Sequence, residues 1–460
     1  MRASAAALAL LLLALPARGE EMAAVAPSRL EGRPDRGHAS PLQALVDAAP
    51  PGATLEVPPG TYEGDLFLDR PVRLVGRGRP LLVGSRAGSV VLVRAPGVVV
   101  EGFDIDGRGG GDLSRDSAGV HVAAERVTVR ACRIRGTLFG VYLREANGVT
   151  VERCEVRGIP GKDPGEKGSG IHVWNTVGFT LRDNAIADVR DGFYIQSSSR
   201  GLVARNRASD LRYGIHYMFS DDNVFEDNVF ENGAAGSAIM YSKRITFRRN
   251  QFLRNRGFAS VGLLFKTCDD VVAEGNLLAD NARGLFLEDS YRNLFRGNVV
   301  ASSDTAIVLY AGCGGNRITG NSFVGNLTPL TLVGASTDTV FDGNYWSENR
   351  EPDLDGDGVC DRPYRLGNVF DHFRENLLAA DLFAQSFAAG AIGVAEETFP
   401  VLRQKTSVDS APLARPPALP DVPRPKPAAR SAHAPAVAAS LATALLGTAL
   451  LVLGRRLPAS

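Results

Sequence analysis

The sequence predicts an all-β protein, a right-handed parallel β-helix of about ten coils with an N-terminal cap helix and a helical C-terminal extension. Two repeating lines predict it. Between residues 118 and 349, a Gly-apolar-X-apolar line recurs with a period near 22 residues: GVHV from 119, GVYL from 140, GIHV from 170, GFYI from 192, GIHY from 214, AIMY from 238, GLLF from 262, GLFL from 284 and AIVL from 306. A second line ends in a column of Cys132, Cys154, Asn184, Asn206, Asn228, Asn250, Asn276, Asn298, Asn321 and Asn344. Strand-like alternation at a fixed period of this length marks a solenoid whose coils bury their inner faces only by stacking. The helical half of a leucine-rich repeat is missing, and inward asparagines can hydrogen-bond up and down a stack.

The elements follow in chain order. Arg2, the apolar run Ala5–Leu15 and Ala17-Arg18-Gly19 read as a secretory signal, residues 1–19. SPLQALVDAAPPGATLEVPPGTYEG, near residue 40, reads as a short helix with Leu42, Leu45 and Val46 on one face. A first strand follows, and together they cap the open edge of the coils. The β-helix with its cap occupies residues 40–349, with GIPGKDPGEKG as a surface insertion. An acidic loop at 350–373 follows, then an apolar helical stripe of Leu378, Leu382, Phe383, Phe387, Ile392 and Val394 within 374–410, suited to packing on a partner. Residues 411–435 are a proline-rich linker. Residues 436–454 carry no charge and end at Arg455 and Arg456, which fits a transmembrane helix or a detachable tail.

Composition narrows function. Lys+Arg and Asp+Glu are both 51, so net charge gives no footprint for nucleic acid or a membrane surface. Five cysteines do not make a disulfide scaffold. Cys132 and Cys154 head the asparagine column one strand spacing apart, which allows either a disulfide or two small buried thiols. Cys268 and Cys313 fall two coils apart, too far to bridge.

Alternation turns the repeat into a surface map. The first and third positions after Gly are apolar and point inward, so the second and fourth point out. The outer face then carries His121, Tyr142, His172, Tyr194, His216 and Met240 in one column and Arg144, Trp174, Gln196, Met218, Lys266 and Glu288 in the next. In this frame Met240 lies directly above His216, beside Met218, with His172 two coils below. Imidazole and thioether together suit copper(I). The same face also reads as an apolar groove receiving the chain's own C-terminal segment, and geometry alone narrowly favours the groove. A carbohydrate-active β-helix enzyme (lyase, hydrolase or epimerase) is the other alternative, but a hydrolase needs paired carboxylates and these two columns hold only Glu288.

In PDLDGDGVCDRPY, Asp353, Asp355, Asp357, Gly358 and Asp361 match positions of a calcium loop, with Tyr364 where the last acidic ligand belongs. An acidic turn held by side-chain to backbone bonds is the alternative.

The chain resembles the NosD-type maturation proteins of nitrous oxide reductase. The resemblance rests on the LQALVDAAPPGATLEVPPGTYEG cap, the YGIHYMFSDDN coil, the NYWSENREPDLDGDGVCDRPY closing segment and the FAQSFAAGAIGVAEETFPVL tail. It spans about residues 40–410. It implies an exported, periplasmic, non-enzymatic accessory protein that works with an ABC transporter permease and ATPase. Such a protein receives copper from a lipoprotein chaperone and helps build the copper–sulfur centre of apo nitrous oxide reductase. The resemblance moves the copper reading of His216, Met218, Met240 and His172 ahead of the groove. The linker and membrane segment are not features it brings.

Overall fold

The computed structural model describes residues 38–111, 116–257, 260–334, 337–367 and 407–417, together with positions 387, 391, 392 and 395. Short strands, three to a turn, stack into three sheets of 15, 13 and 12 strands. The strands of the coils pair in parallel with the one three places on, and among the described residues only the terminal strands Tyr364–Arg365 and Val408–Asp409 pair antiparallel. This is a parallel β-helix of thirteen turns rather than about ten. The additional turns come from residues 54–110, where the strands Thr54–Val57, Arg73–Gly76 and Val99–Glu101 already pair in register without an asparagine column to announce them.

At the N-terminal end a six-residue helix, Gln43–Ala48, buries Gln43 and Val46, with the preceding Leu42 also covered, while Leu45 faces solvent at 59% exposure. The Gln43 amide acts as a short stretch of strand. Its Nε2 donates to the Phe67 carbonyl at 3.0 Å and its Oε1 accepts the Phe67 N–H at 2.8 Å. An edge residue that would otherwise invite pairing is thereby satisfied.

Inside the coil, the asparagine column forms a continuous ladder. Asn206 Nδ2 donates to Asn228 Oδ1 at 2.9 Å and to the Leu181 carbonyl at 2.9 Å, and the next rungs repeat this through Asn344. Each buried amide therefore finds partners above and below. The ladder ends on Asp409, a fully buried carboxylate. It accepts the Asn344 N–H at 3.1 Å, Asn344 Nδ2 at 2.9 Å and the Trp346 indole N–H at 2.9 Å.

Asp409 belongs to residues 407–417, which span the end of the expected helical extension and the start of the expected linker. Here they lie against the last turn. Val408–Asp409 pairs with Tyr364–Arg365 and with Phe341, and Leu413 bridges Tyr345 and Val359. The core between the sheets is aliphatic, with phenylalanines stacking like on like, as Phe225 on Phe247 at 4.7 Å.

The signal at 1–19, Leu378, Leu382, Phe383, Val394 and residues 436–454 lie outside the described residues. Phe387 is described and is fully exposed in helical backbone, and Ile392 is helical as well. Among the described residues no helix is long and apolar enough to cross a membrane.

Candidate metal-binding face

The repeat's glycine column sets the register of the outer face. A Cβ on Gly214 would come 2.5 Å from the Gly236 carbonyl oxygen, and one on Gly236 would come 2.4 Å from that of Gly262. Only glycine fits so close a backbone approach. Gly236, not Ala238, is therefore the start of this coil, and the frame read as AIMY from 238 is displaced by two residues.

The observed pairs are Ile215 with Ser237, His216 with Ala238, Tyr217 with Ile239 and Met218 with Met240. Met240 thus stands beside Met218, not above His216. The misleading signal was Ser237, a buried serine at an inward position that is apolar in the other coils. Its hydroxyl accepts the Leu264 N–H at 3.2 Å, which lets it replace an isoleucine there.

The correction tightens the thioether pair. Met218 and Met240 are directly opposed on neighbouring strands, with Cα atoms about 4.8 Å apart. His216 precedes Met218 by two residues on the same side of its strand, about 7 Å along. Gln196 lies in register below Met218, and Lys266 above Met240. Lys266 is engaged with Glu288 at 2.9 Å.

His216 is held from behind. Its Nδ1 lies 3.3 Å from Asp191 Oδ2 and 3.3 Å from the Arg212 guanidinium. Asp191 is fully buried and receives Arg212 Nε at 2.9 Å and a second guanidinium nitrogen at 2.7 Å. Burial alone would raise the Asp191 carboxyl. Its hydrogen bonds to His216 and Arg212, with the charge of Arg212, outweigh that and hold it at about 2. Arg212 can only donate to Nδ1 and Asp191 can only accept from it, so the two contacts select opposite tautomers. In the one where Nδ1–H donates to Asp191, the Nε2 lone pair is free, the arrangement in which histidine ligates metals. Asp191 and Arg212 escaped the sequence reading because neither falls in an outward column. The RDGFY and LRYGIHY contexts, charge just before a repeat glycine, were the available signal.

His172 is placed differently. Its ring stacks between Tyr142 at 4.5 Å and Tyr194 at 4.4 Å, with Phe139 edge-on at 5.1 Å. Tyr194 also meets His216 at 4.7 Å, so its ring stands between the two histidines. His121 extends the row, meeting Tyr142 at a 54° tilt with ring centroids 5.0 Å apart. Burial, with the charges of Arg144 and Arg190 respectively, pushes His121 down to about 4 and His172 down to about 3, so both are neutral near pH 7. Leu138 and Phe139 cover this end of the face. The described C-terminal residues, 407–417, run to the far end of the β-helix and do not fill the face as a groove occupant.

The residues after the two methionines matter as well. Phe219 and Tyr241 adopt positive φ of 51° and 52°, unusual for aromatic residues. Their rings stack at 5.1 Å while 53% and 45% exposed. Sequence alternation gave no hint of them, because a left-handed residue breaks the two-residue period.

At the end of the β-helix, the carboxylates of Asp353, Asp355 and Asp357 lie within 4.8 Å of one another, close enough to share an ion. Asp361 is not brought into that group and accepts the Leu354 N–H at 2.6 Å. The three carboxylates also accept backbone N–H groups of their own loop, Gly356 to Asp353 at 2.7 Å and Val359 to Asp357 at 2.7 Å.

Comparison with known proteins agrees with this architecture. In solved structures the chain is similar to the A-modules of two Azotobacter vinelandii mannuronan C-5 epimerases. For AlgE6 the TM-score is 0.56 at 16% identity, over 66% of this chain and 94% of the module; for AlgE4 it is 0.54 at 16%, over 64% and 94%. At that identity the likeness is one of fold. Two relatives described as "Probable ABC transporter binding protein NosD" match along most of their length. The Stutzerimonas stutzeri protein is 30% identical over 78% of this chain and 86% of its own. The Pseudomonas aeruginosa protein is 31% identical over 83% and 92%. Residues 157–374, which contain the methionine pair, match the family described as periplasmic copper-binding protein (NosD). The chain belongs to the NosD family.

Proposed function

We propose that this chain is a non-enzymatic copper-handling scaffold, exported to the periplasm, that takes part in assembling the copper–sulfur centre of nitrous oxide reductase. One observation carries the reading. The register sets two thioethers side by side, next to an imidazole whose Nδ1 faces a buried carboxylate. His216 Nε2, Met218 Sδ and Met240 Sδ form a soft donor set for a single Cu(I), the cargo rather than a resident cofactor. Its partial exposure suits a site that must receive and release the ion. An ABC transporter permease and ATPase, a copper-donating lipoprotein and the apo-reductase are the partners the reading requires, with residues 374–402 as the docking element. Calcium at Asp353, Asp355 and Asp357 is part of the same reading, as a structural ion at the end of the solenoid.

A glycosidase built on Asp191 and Glu288 meets a distance problem: the two are four turns apart, about 19 Å, against the 5–10 Å that glycosidase carboxyl pairs need. Both are also neutralised by cations, Arg212 and Lys266.

The deciding experiment titrates Cu(I) into the mature protein and into a His216→Ala/Met218→Ala/Met240→Ala variant, in competition with a chromogenic Cu(I) chelator. The reading expects the variant to lose most of its affinity. Equal affinity in the two proteins would remove this face as the copper site.

A further inference from the structure

The asparagine ladder does not reach the first turns of its own column, and what replaces it there is a pair of thiols. Arg130 pairs with Glu152 and Arg133 with Glu155, so Cys132 and Cys154 stand directly opposite each other on the fourth and fifth turns. Directly opposed residues on neighbouring strands have Cα atoms about 4.8 Å apart, inside the range a disulfide spans. The residues before them, Ala131 and Arg153, share left-handed backbone at φ of 54° and 53°, so both Cα–Cβ bonds leave in the same direction. Both side chains are interior, 1% and 2% exposed.

Each thiol donates to the carbonyl two residues back, Cys132 to Arg130 at 3.4 Å and Cys154 to Glu152 at 3.4 Å. The other cysteines have no thiol in register. Cys268 is flanked on neighbouring turns by Ser242 and Ser290, and Cys360 receives the Asn349 amide.

We propose that Cys132 and Cys154 are joined by a disulfide in the exported protein, a covalent rung in place of the asparagine amides. The oxidant is the disulfide of a thiol–disulfide oxidoreductase, the class of reagent an oxidising compartment supplies. The Cys132 thiolate attacks that disulfide, forming a mixed disulfide and expelling one thiolate. Deprotonated Cys154 then attacks the Cys132 sulfur and expels the second. One S–S bond forms, the oxidant's S–S bond is reduced to two thiols, and those thiols take up the two protons. Because both side chains are interior, the exchange takes place before the fourth and fifth turns close.

The test is thiol mapping of the full-length protein purified from the periplasm of an expressing bacterium. Denaturation with an alkylating agent and no reductant should label Cys268, Cys313 and Cys360 only. Digestion and mass spectrometry should recover the peptides of Cys132 and Cys154 cross-linked, separating on reduction. Labelling of all five cysteines without reductant, or a cross-link between any other pair, would overturn the proposal.

Discussion

His216 and Asp191 meet across neighbouring strands, imidazole Nδ1 to carboxylate Oδ2 at 3.3 Å, with Arg212 closing the triangle from behind. The contact fixes which nitrogen of His216 turns outward. Asp191→Asn should therefore keep the fold and the three proposed ligands yet weaken Cu(I) binding by about 10- to 100-fold, the usual cost of losing a carboxylate behind a metal-binding histidine. Chelator competition reads this directly. An Asp191→Asn protein with unaltered affinity would show that His216 does not bind through Nε2.

The thioether pair makes a different prediction. Met218→Leu and Met240→Leu conserve volume on a partly exposed face, so each should shift the thermal midpoint little, by less than about 1.5 kcal/mol of stability. Each should still lower Cu(I) affinity at least tenfold. Hydrogen peroxide should oxidise both methionines in the metal-free protein and spare them in the Cu(I) form, as peptide mapping would show.

Acid should weaken the stacked end of the face first. An unfolded histidine titrates near 6.5. Folded His121 and His172 resist protonation until about pH 4 and about pH 3. Across the interval between, the unfolded chain holds protons that the folded chain refuses. Stability is therefore full above about pH 6.5 and falls as pH drops through that window, by on the order of a few kcal/mol per histidine. Asp191 acts at lower pH. Its folded pKa of about 2 lies below that of an unfolded aspartate, so its contribution fades as pH falls from about 4 towards 2. Thermal midpoints between pH 7 and 4 should decline more gently in His172→Phe, which keeps the ring stack without the titrating nitrogen.

Asp409 should be sensitive to truncation. Asp409→Ala strands the Asn344 N–H and Nδ2 and the Trp346 indole N–H, all facing the buried end of the ladder. Such a loss costs about 1–3 kcal/mol for each donor left unpaired, and the last turn becomes an open edge. Lower urea midpoints and concentration-dependent aggregation are the expected readouts, with Asp409→Asn less affected.

Calcium should raise the thermal midpoint of the wild-type protein and leave an Asp355→Asn/Asp357→Asn variant unmoved. Equal responses in the two proteins would assign the acidic loop a purely local role, since its carboxylates already accept backbone N–H groups.

The repeat made most of this fold legible before any coordinates. Period, inward apolar positions and the asparagine column each express one physical demand of a stacked coil. The demand failed to show itself where another residue met it by other means. Valines and leucines without asparagines built the first turns, and Ser237 met an inward position through a hydroxyl bond, shifting the apparent frame by two. The donors His216, Met218 and Met240 were legible because soft side chains are rare on an outward strand face. Their arrangement was not, because it depends on a glycine contact between neighbouring backbones. Asp191, Arg212, Phe219 and Tyr241 lie just outside the regular positions, where alternation says nothing.

The asparagine ladder ends on a residue that lies 65 positions beyond its last amide. A chain that folds from its N-terminus as it is made can stack coil upon coil as it emerges. Its final coil must wait with indole and amide protons unmatched until residue 409 is available. Completion of the solenoid thus reports that all but the last stretch of chain has been made. A product truncated between 350 and 408 would carry an unfinished end, open to proteolysis and to pairing with its own kind.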